Sequence, residues 1–260
     1  MTSGRILMQR RTARSLAAAV VLTGALAATT AGATTIYGNL SGANFDFLGV
    51  QETSTFGDPE PLFGAPTVSS DQLLFFPTNF SASAGGGGFD MTGAQLQLTI
   101  MATGPGATID ALKLTEAGDT TLAGLGTAAT GTFVGIGGTI TVLEDINGVL
   151  PVAQVFTFDD TDVVYGPGNT FDLVSNPGTT GWTAMLYVDI AAIVPNATKV
   201  AVGFDNNLFA FSEATTASSI QKKAVSGPTI VFEVVPEPGT FVLVATGLIA
   251  LAIPARRSRN

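Results

Sequence analysis

The 260-residue chain contains neither cysteine nor histidine. Without cysteine there are no disulfide staples and no thiol chemistry. Without histidine as well there is no Ser-His-Asp or Cys-His machinery, and no ordinary ligand set for zinc, copper or haem. The enzymes still open rely on carboxylates, lysine or tyrosine. A glycosidase needs two acids about 5–9 Å apart across a sugar cleft, and the many acids here would supply such a pair by chance. The aromatic lining of such a cleft is missing, because the chain has one tryptophan, Trp182, and three tyrosines, at 37, 165 and 187. Trp182 follows Gly181 at the start of an extended segment and reads as a core or rim aromatic rather than a sugar platform.

Basic residues are also scarce, and their distribution is uneven. Arg5, Arg10, Arg11 and Arg14 precede the first apolar run, and Arg256, Arg257 and Arg259 follow the last. Between residues 34 and 235 four lysines (Lys113, Lys199, Lys222, Lys223) stand against nineteen acids, a net charge of −15. A field of that sign repels nucleic acid and anionic lipid, which excludes a nucleic-acid role, and it favours solubility. Gly85–Gly88 and Gly135-Ile136-Gly137-Gly138 lack the lysine and the strand-loop-helix setting of a phosphate cradle, so nucleotide binding is excluded too.

Both ends read as addresses. Residues 1–33 combine an arginine-bearing start, the apolar stretch Leu16–Ala28 and the small-residue sequence Ala31-Gly32-Ala33. These are the three parts of a secretory signal peptide cleaved after Ala33, and they imply an export translocon and signal peptidase as partners. The apolar run falls short of the ~20 residues that a retained span needs. At the other end Val235, Pro236, Glu237 and Pro238 lead into the apolar run Phe241–Ala255 and then into Arg256, Arg257 and Arg259. The prolines keep the motif extended and out of the following helix. The run is short for a transmembrane helix but serviceable with snorkelling flanks, and the arginines hold the extreme C-terminus in the cytoplasm.

This tail, residues 235–260, resembles the PEP-CTERM sorting signal, with all three parts in order. The resemblance implies a Gram-negative host and transient anchoring in the inner membrane. It further implies recognition of the Pro-Glu-Pro motif by exosortase, a membrane-embedded cysteine transpeptidase, followed by release or attachment at the cell surface or extracellular matrix. Such proteins often occur in bacteria that make exopolysaccharide.

Residues 34–234 form the body. Short β-prone runs alternate with Gly, Pro, Asn and Asp turns, and no segment keeps helical periodicity over three turns. Ala94–Ile100 alternates strictly and presents Leu96, Leu98 and Ile100 to a core. Further strands are expected at Ile109–Thr115, Thr132–Leu143, Gln154–Phe158, Ala184–Ile190, Lys199–Phe204, Leu208–Phe211 and Thr229–Val234. Ten or so such strands predict an all-β fold, an antiparallel β-sandwich or jelly-roll. Gly85–Gly88 is expected to be a mobile hairpin loop. Ser212–Gly227 is expected to be a long surface loop containing one edge strand, on which Lys222-Lys223 would discourage edge association.

Two acidic groups invite a metal reading. Asp159, Asp160 and Asp162 are candidate calcium ligands, although the regular Asp-x-Asp-x-Asp-Gly loop is absent and a solvated turn is the favoured reading. Glu144-Asp145-Ile146-Asn147-Gly148 carries the Asn-Gly signature of a tight hairpin. The function expected is therefore a non-enzymatic surface or matrix component without a required cofactor, associated with exopolysaccharide or biofilm. The alternatives are a calcium-assisted carbohydrate-binding module and, third, a carboxylate-based polysaccharide hydrolase. For the sorting signal, Glu237→Ala is expected to leave the C-terminal tail uncleaved in the native host. A blot against a C-terminal epitope would show this, and unaltered processing would count against the assignment.

Overall fold

The computed structural model describes residues 34–223 and 230–235. They form fifteen strands and no helix. β1 (Thr34–Ser41) and β2 (Phe45–Ser54) make an opening hairpin, and β3 (Thr67–Ser69), β4 (Gln72–Phe75) and β5 (Ser81–Gly85) are short. Four long strands follow: β6 (Phe89–Ala102), β7 (Ala111–Gly124), β8 (Gly131–Asp145) and β9 (Gly148–Phe158). After the short β10 (Val163–Gly166) and β11 (Thr170–Asp172) come β12 (Gly178–Asp189), β13 (Ala197–Phe211), β14 (Thr216–Lys222) and β15 (Ile230–Val235).

All pairings are antiparallel, as expected, and they build two sheets. The first runs β1-β2-β6-β13-β8, and the far edge of β8 is shared by β9 and β11. The second runs β10-β12-β7, and the far edge of β7 is shared in the same manner. β15 pairs with Ala111–Glu116 and leads on to β4 and β3, whereas β14 pairs with Gly118–Gly124 and leads on to β5. Glu116 thus stands at the point on β7 where one edge partner hands over to another. With fifteen residues each, β8 and β13 extend about 50 Å at the usual strand rise, far beyond the common strand length.

The core lies between the sheets and is built by alternation. Leu96, Leu98 and Ile100 point inward as expected, as do Val200, Val202, Phe204 and Leu208 of β13 and Trp182, Ala184, Leu186 and Val188 of β12. Phe63, carried by the loop after β2, meets Phe75, Phe80 and Phe204 at ring separations of 5.8, 5.3 and 6.3 Å. Each such side chain stabilises the fold by about 1.5–3 kcal/mol on burial.

Three sequence expectations need correction. The two strands expected at 199–204 and 208–211 are one, because Asp205, Asn206 and Asn207 continue the extended backbone, paired with β6 and β8 on both sides. Asn206 takes an inward place in the alternation, so the polar trio is no turn. Gly85–Gly88 carries the chain from one sheet to the other. It is tied down by hydrogen bonds from Gly86 N to Thr216 O (3.1 Å), Gly87 N to Glu213 O (2.9 Å) and Gly88 N to Ser212 Oγ (3.1 Å). The third correction concerns Ser212–Gly227. β14 within it is paired on both edges, and Lys222 is buried rather than displayed on an edge.

The Glu144–Gly148 hairpin is as expected. Asp145 pairs with Gly148, and Asp145 Oδ1 accepts the Asn147 N–H at 2.7 Å.

Gly118 is required by close approach, not by its backbone angles. A Cβ there would lie 2.1 Å from the Gln221 carbonyl oxygen and 2.4 Å from the Trp182 ring. Gly118→Ala is expected to cost at least about 1–3 kcal/mol by overpacking. In the control Gly168→Ala the new methyl meets nothing within 4 Å, and the change should stay within about 0.5 kcal/mol. Urea unfolding midpoints of the two variants would check the contrast.

Candidate functional site

Of the sorting motif only Val235, the last residue of β15, lies among the described residues. Pro236, Glu237, Pro238, the arginines at 256, 257 and 259, and the cleavage residues Ala31 and Ala33 lie outside them. Asp159, Asp160 and Asp162 occupy the turn from β9 to β10. Asp159 Oδ1 accepts from the Thr161 amide (2.8 Å) and hydroxyl (2.6 Å), and these donors hold its carboxyl below the usual range. Asp162 Oδ2 accepts the Asp159 N–H at 3.0 Å. Asp160 accepts the Ile136 N–H at 2.7 Å and the Tyr165 hydroxyl at 2.6 Å. Burial and this carboxylate together push the Tyr165 phenol well above its ordinary value. Among the described residues no three acidic side chains gather into a metal-sized group. Trp182 is a core residue, 1% exposed.

The outer face of the first sheet carries a groove of about 380 Å³ across β2, β6, β13 and β8. Its floor is low because Ala201 and Gly203 occupy outward positions on β13, with Thr139 and Thr141 beside them on β8. Its far wall opens where the β2–β6 register slips between Leu48 and Gln51. Gly49 takes a φ of +60° there, as a bulge requires. Along the groove runs a relay of amides. Gln51 Nε2 donates to Gln97 Oε1 at 3.0 Å, Gln97 Nε2 to Gln95 Oε1, and Gln95 Nε2 to Asp205 Oδ1 at 2.9 Å. Further along the same face Phe209 lies 6.2 Å from Phe56 and 5.6 Å from Phe133, centroid to centroid. Phe56 and Phe133 lie close over Gly93 and Gly135.

A second polar constellation lies inside the sandwich. Glu116 of β7 receives Lys222 Nζ of β14 on Oε2 and Asn206 Nδ2 of β13 on Oε1. Both charged side chains are fully buried. Lys222 Nζ stands 5.0 Å from the ring centre of Phe80 and 5.4 Å from that of Trp182, so aromatic faces wall the ammonium. Desolvation pulls the Lys222 pKa down, and Glu116 only partly opposes it. A signal for this cluster exists in the sequence. Glu116 continues the inward phase of Leu112 and Leu114, and Lys222 that of Ser218 and Ile220. Ending the strand at Thr115 hides it.

No family model matches the chain, and no curated protein matches it either. Among solved structures the chain is similar to capsid proteins of infectious bursal disease virus. For the VP2 subviral particle the identity is 11% and the TM-score 0.14, over 80% of this chain and 57% of that one. For the Gt strain the values are 11% and 0.14, over 82% and 60%. The chain spans a little over half the length of these proteins, and superposition at that level carries no functional argument.

One buried carboxylate yields a pH signature. Glu52, enclosed by the core, accepts the Leu62 and Phe63 N–H groups at 2.6 and 2.8 Å, yet desolvation still raises its pKa. The folded chain therefore holds this proton more tightly than the unfolded one. The contribution of Glu52 to stability falls as pH rises from the unfolded value of about 4.3 through the raised folded one. Asp159, Asp172 and Glu213, whose pKa values are lowered by loop N–H and hydroxyl donors, act oppositely and lose their contribution as pH falls. Denaturant unfolding across about pH 4–8 is expected to show the Glu52 downward slope with rising pH as the difference between the native chain and Glu52→Gln.

Proposed function

We propose that this chain is an exported, non-enzymatic component of the cell surface or extracellular matrix, sorted through its Pro-Glu-Pro tail. Its β-domain contacts exopolysaccharide along the groove on the outer face of the first sheet. The observation that carries this reading is the amide relay Gln51–Gln97–Gln95–Asp205, lying beside the Thr139 and Thr141 hydroxyls over a floor of Ala201 and Gly203. Primary amides and hydroxyls each offer donors and acceptors, the complement of a sugar's vicinal hydroxyls. The low floor admits a chain along the strands, and the Phe209 group supplies apolar ring faces farther along the same surface. The net charge of −15 on residues 34–235 favours a neutral polymer over an anionic one. Exposed, wet contacts of this kind give weak individual sites, strengthened when many copies meet one polymer.

The non-enzymatic part of the reading rests on the missing histidine and cysteine and on the turn and core roles taken by the acids described above. Titration calorimetry of the purified chain with a neutral exopolysaccharide from the host is the direct test. Replacing Gln95 and Gln97 together by alanine is expected to weaken binding about tenfold, the ~1.4 kcal/mol of lost hydrogen bonding. Unchanged affinity in the double variant would remove the groove from the reading, and turnover of the polymer would replace binding by hydrolysis.

A further inference from the structure

We infer that Lys222 and Asn206 become joined by an intramolecular amide bond, formed autocatalytically with Glu116 as proton carrier, which links the two sheets covalently. Three strands bring the reacting groups together: β14 supplies the amine, β13 the carboxamide and β7 the carboxylate. The Lys222 and Asn206 nitrogens rest on the two oxygens of one carboxylate, so the amine lies alongside the carboxamide. The side chains of Lys222 and Glu116 are fully buried, as is Asn206, with Phe80 and Trp182 closing over the ammonium. Asn206 Oδ1 has no hydrogen-bond partner, so its carbonyl is not committed elsewhere. The neighbouring Lys223 is exposed and pairs loosely with Asp119 at 3.5 Å, which leaves Lys222 as the lysine aimed into the core here.

The chemistry is complete with the groups present. Burial disfavours the ammonium, and transfer of its proton to Glu116 leaves a neutral amine and a neutral acid, which removes both charges from the core. The Lys222 Nζ lone pair attacks Cγ of Asn206, forming a new C–N bond and a tetrahedral centre. Glu116 relays the proton that the attacking nitrogen must shed to Nδ2. The C–Nδ2 bond then breaks with its electron pair on nitrogen, and ammonia departs as ammonium after taking from Glu116 the proton that came from Lys222, which restores the carboxylate. The net change is ammonium side chain plus carboxamide to secondary amide plus ammonium ion, with no oxidant or reductant. Exclusion of water by the aromatic wall protects the product from hydrolysis. A chain without cysteine thereby gains a covalent tie that restricts its unfolded ensemble as a disulfide would.

Intact mass spectrometry of the purified full chain under denaturing conditions tests this. The expected mass lies below that of the sequence, taken between the same termini, by one ammonia, and peptide mapping should recover Asn206 and Lys222 in one branched fragment. Glu116→Gln and Lys222→Met are each expected to regain the full sequence mass. Asn206→Asp should instead lose water and arrive at the mass of the native product, and it keeps the test sharp if the other variants do not fold. A native chain at full sequence mass overturns the inference. So does an ammonia deficit that persists in Lys222→Met, as a succinimide at Asn147-Gly148 would produce.

Discussion

A lysine and a glutamate enclosed between two sheets constrain this fold more than any other contact. Removing charges from water is costly, and a buried pair returns that cost only with close geometry and satisfied neighbours. The Glu116–Lys222 pair meets the condition by recruiting Asn206 from the opposite sheet and two aromatic faces. Breaking one member alone would strand a buried charge, a loss of about 3–5 kcal/mol in comparable cases. The pair also fixes where β14 ends along β7, since Lys222 pairs with Gly118 while Ile230 of β15 takes up the same edge opposite Glu116.

Strand alternation gives β13 two roles at once. Its inward side chains, Val202, Phe204, Asn206 and Leu208, make the core, and Asn206 meets Glu116, while the outward Ala201 and Gly203 form the floor of the groove and Asp205 accepts the last bond of its amide relay. A shift of one residue in register would exchange the two faces. Pairing along nearly its whole length with both β6 and β8 holds that register. The proposed recognition surface therefore rests on the most firmly framed strand of the molecule.

The acidity of the domain has a structural use besides solubility. Where the chain leaves a strand, carboxylates take the loop N–H groups that no ladder satisfies: Asp71 for Asn44, Asp172 for Val174 and Ser175, Asp189 for Ala192 and Glu213 for Thr127. Fixed charges at such positions strengthen the hydrogen bonds they accept. The Asp159–Asp162 turn belongs to this pattern, with its carboxylates occupied by local donors.

Composition and alternation were enough to read the all-β class, the Ala94–Ile100 strand and the Asn-Gly hairpin, because those depend on neighbours in the chain. Charge partition likewise separated an acidic body from arginine-bearing ends. Local signals also misled: Asp205-Asn206-Asn207 resembles a turn, and Lys222-Lys223 resembles an edge guard. Only the tertiary structure decided that Asn206 and Lys222 face each other across one carboxylate. Their partner lies about ninety positions from one and over a hundred from the other, and the choice between burying and exposing a polar side chain depends on what the opposite sheet provides.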